Sequence, residues 1–151
     1  MSLSNENHQA HIEKIRTWLA SVSSNRQKLR QKKSYIHRKT QDYLEFIIPP
    51  RSRVLSISCL SSDLLDRVNL IYGLSLNLET PLSSVTNQSN PIIEYVQGDL
   101  EDGTVLNSLA NKGPFDVILL EDTLGYLDDI QTFLDKLRIL CSPETRVVSV
   151  Y

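Results

Sequence analysis

Apolar residues Ile12, Ile15, Leu19 and Val22 recur at three- to four-residue spacing from about Asn7, with Trp18 alongside, which predicts an amphipathic helix behind a frayed residue 1–6 segment. Ser21–Ser24 interrupt the pattern. A second helix is expected from Asn25 to about Ile47, with Leu29, Tyr35, Ile36, Tyr43, Leu44 and Ile47 as its apolar positions. Pro49-Pro50 stops it, because proline lacks the amide hydrogen and restricts the residue before it. Beyond that point the rhythm changes to short apolar runs. Val54–Cys59, Ile71–Asn77, Ile92–Gln97, Phe115–Leu120 and Arg146–Tyr151 read as five strands. Phe115–Leu120 is nearly continuous in apolar residues, as expected of a strand buried on both faces.

Helices are expected between most of these strands. Ser61 or Ser62 can cap a short one, with Asp63 in its first turn. Leu78–Pro91 is rich in Ser, Thr, Asn and Pro and supports only a turn of helix or a loop. Asp102–Asn111 has Leu106, Leu109 and Ala110 on one side, and Gly113-Pro114 marks a turn. Asp128 or Asp129 opens a strongly periodic helix through Ile130, Phe133, Leu134, Leu137 and Leu140, which Pro143 is expected to end.

Strands alternating with helices predict an α/β domain with a parallel sheet. Right-handed crossovers place helices on both faces, giving a Rossmann-like three-layer α/β/α arrangement with two helices in front of it. The expected division is a basic helical extension at 1–48 and a Rossmann domain at 49–151. Arg51–Leu65 has the layout of a nucleotide-binding strand and turn. Such sheets bind ligands at the carboxyl ends of their strands. The candidate site is therefore Ser58–Ser62, Asn77, Asp99-Leu100 and Glu121–Thr123.

Composition narrows the class without choosing the chemistry. The 151 residues are 40% hydrophobic and 23% charged, ordinary for a soluble domain with a real core. No apolar run approaches the ~18–20 residues of a membrane span, and the N-terminus lacks a signal peptide's apolar stretch, so the expected location is cytoplasmic. Cys59 and Cys141 sit in no metal-ligand spacing and read as reduced thiols. The acids Glu121, Asp122, Asp128 and Asp129 read as strand-end and helix-capping residues, and no metal site is expected.

Charge is unevenly placed. Residues 1–53 carry 11 Lys+Arg against 4 Asp+Glu, and the remainder carries 5 against 14. Arg26, Lys28, Arg30, Lys32, Lys33, Arg38 and Lys39 crowd the second helix. That stretch can bind an anionic partner such as nucleic acid, or it is simply a solvated face. The basic residues fall on all sides of the helix and no aromatic interleaves them before Tyr35, so the nucleic-acid signal is weak.

Pro49-Pro50, then RVLSISCLSSDLL, YGLSLN, YVQGDLED and FDVILLEDTLGYLDDI, in that order and spacing, resemble class I S-adenosylmethionine-dependent methyltransferases over residues 35–151. The resemblance implies a sheet of order 3-2-1-4-5 and a cofactor site formed by Ser58, Leu60, Ser62, Asn77, Asp99, Leu100 and Glu121. Asp99 takes the place of the acid that contacts adenine, Leu100 the residue that packs on its ring, and Glu121 the position beside the methionine end. The chain departs from the family in its first two motifs. Ser56 replaces an acid, Ser58, Leu60 and Ser62 replace three glycines, and Asn77 replaces the acid that accepts from the ribose hydroxyls. Glycine serves such turns through left-handed backbone and close approach to the ligand, and an ordinary residue forced into that geometry costs roughly 1–2 kcal/mol. An amide in place of a carboxylate exchanges hydrogen bonds worth ~1.5–3 kcal/mol for ones worth ~1. The family has seven strands, and this sequence ends at the fifth, which leaves an edge open to a second copy or another chain.

The expectation is thus a methyltransferase-like protein with S-adenosylmethionine as its possible cofactor, weak or inactive because the glycine loop is lost and two strands are missing. No catalytic residue is nominated. The alternative is a non-catalytic binding module of the same fold that engages an anionic partner through Arg26–Lys39.

Overall fold

The computed structural model describes residues 2–32, 34–59, 63–78 and 92–151. Helix α1 spans Ser2–Lys32 and α2 spans Ser34–Ile47. Strands β1 (Ser52–Ser58), β2 (Leu70–Asn77) and β3 (Ile93–Gln97) follow. Then come α3 (Gly103–Leu109), β4 (Phe115–Glu121), α4 (Ile130–Leu137) and β5 (Cys141–Val150). The five strands form one parallel sheet of order β3-β2-β1-β4-β5, which is the Rossmann-like arrangement expected.

The sheet has an apolar core on each face. On one, Leu55 and Ile57 of β1 and Ile118 and Leu120 of β4 pack against Ile12, Ile15 and Leu19 of α1, Leu106 and Leu109 of α3, and Phe133 and Leu137 of α4. On the other, Val54, Val117 and Leu119 pack against Leu44 of α2, Ile48 and the buried Leu64, Leu65 and Val68. Alternate residues of β1 and β4 thus serve opposite faces, the period-two consequence of the pleat. Since Ile12, Ile15 and Leu19 share a core with the sheet, α1 packs as one of the layers.

Three local expectations are corrected. Helix α1 runs through Ser21–Ser24, where Ser21 Oγ donates to the Trp18 carbonyl at 2.7 Å; a serine that bonds back to its own helix does not break it. Residues 63–68 form turns held by i→i−3 bonds, Asp66 N to Asp63 O and Val68 N to Leu65 O, where a helix was expected. So short a segment gains too few bonds to nucleate one. The last helix stops before Cys141, and Pro143 lies inside β5, where an edge strand tolerates a missing amide hydrogen. Strand β5 accommodates it by an irregularity opposite Phe115–Val117, closed by Thr145 Oγ1, which accepts from Ser142 N and donates to Phe115 O. Helix α2 packs on the sheet through Leu44, while Tyr35, another of its apolar positions, is 71% exposed. No helix among the described residues is long and apolar enough to cross a membrane.

Candidate functional site

The carboxyl ends of β1, β2 and β4 lie side by side, with Ser58 level with Asn77 on one side and Glu121 on the other. Ser58 and Asn77 are buried, together with Ser56 and Ser75 two pairs earlier. Ser58 Oγ donates to Asn77 Oδ1 at 2.9 Å, and Ser75 Oγ donates to the same oxygen at 3.3 Å. The Asn77 amide nitrogen is buried and has no hydrogen-bond partner among the described residues. Leaving a buried donor unmet costs about 1–3 kcal/mol. Asn77 is therefore saturated as an acceptor and still open as a donor. Its backbone carbonyl accepts from Gly98 N at 2.9 Å, which ties the ends of β2 and β3 together. A Cβ on Gly98 would meet Val105 at 2.9 Å, so glycine allows α3 to approach here.

Beyond β3, Asp99 Oδ1 accepts from Glu101 N at 2.9 Å and Oδ2 stands 2.7 Å from His8 Nε2. The other ring nitrogen, Nδ1, is 3.3 Å from Asp128 Oδ2 and 4.0 Å from Glu101 Oε2. A neutral imidazole has one donor only, so the charged ring satisfies both sides. Partial burial pulls the His8 pKa down, but hydrogen bonds to Asp99 and Asp128 and the charges of Asp99 and Glu101 outweigh it, and the pKa lies above its ordinary value of 6.5. Glu101 also accepts from Asp128 N and Asp129 N, each at 3.0 Å, while Lys136 Nζ donates to its carbonyl at 2.6 Å. The loops after β3 and β4 are joined through Glu101, and α1 is joined to both through His8.

These groups line a cleft of about 540 Å³ that includes Asp99, His8, Glu101, Asp128 and Lys136. That is within the ~300–1,000 Å³ usual for small-molecule sites. The remaining expected residues fall elsewhere. Leu100 is buried in the core with Leu106 and Leu109. Glu121 is half-buried at the end of β4. Leu60 and Ser62 lie outside the described residues. After β4, Asp122 takes a left-handed φ of 47°, and Thr123, fully buried, donates from Oγ1 to Ile57 O at 2.6 Å. Asp129 caps α4, accepting from Thr132 N and Thr132 Oγ1, which holds its carboxyl below the usual carboxylate range. Among the described residues no group of three or more His, Cys, Asp and Glu side chains is placed to hold a metal ion.

Sequence reasoning missed three contributors. Ser75 was findable, since a residue two before Asn77 in a strand shares its face. Thr123 fell inside the candidate range but carried no role. His8 gave no local signal, lying 91 residues from Asp99. In the basic stretch Arg26–Lys39, the side chains of Arg26 and Arg30 and all of Lys33 lie outside the described residues, while Lys28, Lys32, Arg38 and Lys39 are exposed.

Several solved structures resemble this one, three of which follow. The methyltransferase MycE of the mycinamycin biosynthetic pathway, in complex with Mg and SAH, matches with a TM-score of 0.51 and 18% identity, over 78% of this chain and 32% of that one. A TehB-like SAM-dependent methyltransferase from Corynebacterium glutamicum matches at 0.64 and 18% identity, over 86% of this chain and 72% of that one. A SAM-dependent methyltransferase from Thermotoga maritima, described as a possible histamine N-methyltransferase, matches at 0.64 and 10% identity, over 87% of this chain and 58% of that one. The chain thus spans about a third of the length of MycE and under two thirds of the Thermotoga protein. No family model and no curated protein matches the sequence. At identities this low the shared property is the architecture, and the chain has the fold of the S-adenosylmethionine-dependent methyltransferases.

Proposed function

We propose that this chain is a methyltransferase-like protein that binds S-adenosylmethionine, or its demethylated product, weakly at the carboxyl ends of β1–β4. The observation that carries the reading is Asp99, which follows β3 of this fold and opens onto the 540 Å³ cleft. The residues fit such a ligand. Asp99 would hold the adenine edge, the Asn77 amide, which has no hydrogen-bond partner among the described residues, would donate to a ribose oxygen, and Glu121 would flank the methionine end. The cofactor supplies a methyl group on a sulfonium sulfur, and transfer from it requires chiefly alignment of the acceptor.

Three features weaken the site. Asn77 has no charge, and its oxygen is already engaged by Ser58 and Ser75. His8 occupies the Asp99 oxygen that a ligand would need. In sequence, Ser58, Leu60 and Ser62 stand where the resemblance expects glycines. A micromolar site has only about 8 kcal/mol in total, so losses of 1–2 kcal/mol at each place are enough to silence it. The His8–Asp99 contact favours a second reading, in which the fold persists as a non-catalytic module that uses the basic stretch Arg26–Lys39 for an anionic partner.

Calorimetric titration with S-adenosylmethionine and S-adenosylhomocysteine separates these readings. Binding that is lost in Asp99→Ala supports the cofactor site. Absence of heat at millimolar ligand, or equal binding by Asp99→Ala, overturns it in favour of the non-catalytic module.

A further inference from the structure

Helix α2 is amphipathic twice over. Its inner side buries Leu44 and carries the half-buried Ile47 toward the sheet. Its outer side exposes Tyr35 at 71%, Ile36 at 59%, Tyr43 at 70% and Phe46 at 86%. At 100° per residue, Tyr35, Ile36, Lys39, Tyr43 and Phe46 fall within one arc about 100° wide. Among the described residues, no packing buries these three rings on one stripe. Lys39 Nζ lies 5.7 Å from the centre of the Tyr35 ring, a cation–π contact on this stripe.

We propose that this face of α2 is the interface of a two-fold symmetric homodimer, formed by antiparallel packing of α2 on α2 of a second copy. The stripe is self-complementary in that direction. Tyr35 and Phe46 lie at its two ends, roughly 16 Å apart at 1.5 Å per residue. Reversal about a two-fold axis level with residues 40–41 sets Tyr35 against Phe46 of the second copy, twice. The same operation brings Lys39 over Tyr43 of the second copy and Arg38 beside its Asp42 and Glu45. Arg38, Lys39 and Glu45 are exposed and Asp42 is partly so, and Asp42 and Glu45 already face Arg67.

The charges argue against a phosphate-bearing partner. Asp42 and Glu45 border the stripe beside Arg38 and Lys39, and a nucleic acid or an anionic membrane laid on it would meet both carboxylates. Area also fits a second copy. An aromatic side chain buries ~150–250 Å², so the three rings and Ile36 offer roughly 500–600 Å² per copy at these exposures, or roughly 1,000–1,200 Å² for the pair. This sits at the lower edge of specific interfaces, ~1,200 Å², before the flanking charged residues are added. The face lies away from the Asp99 cleft, so the proposal stands independently of cofactor binding.

The test is sedimentation velocity of the full chain, with two variants. The unsubstituted chain is expected to be a dimer at roughly 100 µM. Tyr43→Ser with Phe46→Ser is expected to weaken association at least ~100-fold while its thermal transition stays unchanged. Tyr35→Cys with Phe46→Cys is expected to form, on mild oxidation, a disulfide between position 35 of one copy and 46 of the other, located by peptide mapping. The two positions are too far apart to close within a chain. A monomeric chain at that concentration, a dimer insensitive to the serine variant, or absence of the 35–46 link would overturn the proposal. So would a monomer that sediments with phosphatidylserine vesicles or shifts single-stranded RNA through this face.

Discussion

His8 Nε2 stands 2.7 Å from Asp99 Oδ2, bridging the first helix to the loop after the third strand across 91 residues. With Asp128 on its second nitrogen, His8 closes one side of the cleft at the place proposed for adenine. The contact is at once a tether for α1 and a competitor for any ligand of Asp99.

Its pH dependence follows from the direction of the shift. The His8 pKa is raised above 6.5, so the pairing contributes fully below that value and is lost as pH rises through the folded-state pKa. His8→Ala is expected to lower the melting temperature by a few degrees at about pH 5.5 and by little at about pH 8.5. The pairing is partly solvated, so about 0.5–1 kcal/mol is the scale. Thermal melts of both proteins across this range test it, and an equal difference at both ends would remove the charged pairing.

Asn77→Asp restores a carboxylate at the end of β2. If Asn77 faces the ribose, affinity for S-adenosylhomocysteine rises about tenfold, the difference between charged and neutral hydrogen bonds. The substitution also buries an acid at a position that is 1% exposed. Burial raises its pKa, the folded state holds the proton more tightly than the unfolded, and the variant loses stability as pH rises. Calorimetry checks the first outcome and melts at two pH values the second.

Leu19 is 1% exposed and shares a core with Leu106, Phe133 and Ile118. Leu19→Ala is expected to cost about 2–4 kcal/mol, read from urea denaturation. An independent extension would tolerate the change with no loss in the main transition.

Thr123 donates from a fully buried hydroxyl to Ile57 O, pinning the turn after β4 to β1. Thr123→Val keeps the shape and removes the donor. The expected loss is about 1–3 kcal/mol in chemical denaturation, with the fold unchanged by circular dichroism.

What was legible in the sequence was whatever depends on neighbours along the chain. Ile12, Ile15 and Leu19 announced the buried stripe of α1, and the apolar run at Phe115 announced a strand covered on both faces, because period and burial are written locally. Asp102 and Asp129 announced helix starts, because a cap acts over three residues. Local rules failed where tertiary context outweighed them. Ser21–Ser24 continue a helix anchored by its packed first half, and Pro143 enters a strand because only the edge of the sheet meets it.

The strand order 3-2-1-4-5 was expected from resemblance, and the pairings that realise it join residues far apart in sequence. The site depended on tertiary structure more heavily still. No spacing relates His8 to Asp99, and no motif shows that Ser58 and Ser75 share the Asn77 oxygen while its nitrogen goes unmet. By itself the sequence determined the alternation of strands and helices and the apolar side of the strongly periodic ones, though not every boundary. Only the tertiary structure decided which apolar sides find a partner, burying the inner face of α2 and leaving Tyr35, Tyr43 and Phe46 exposed. Burial is settled by what packs across the fold, and that is information no single stretch of chain contains.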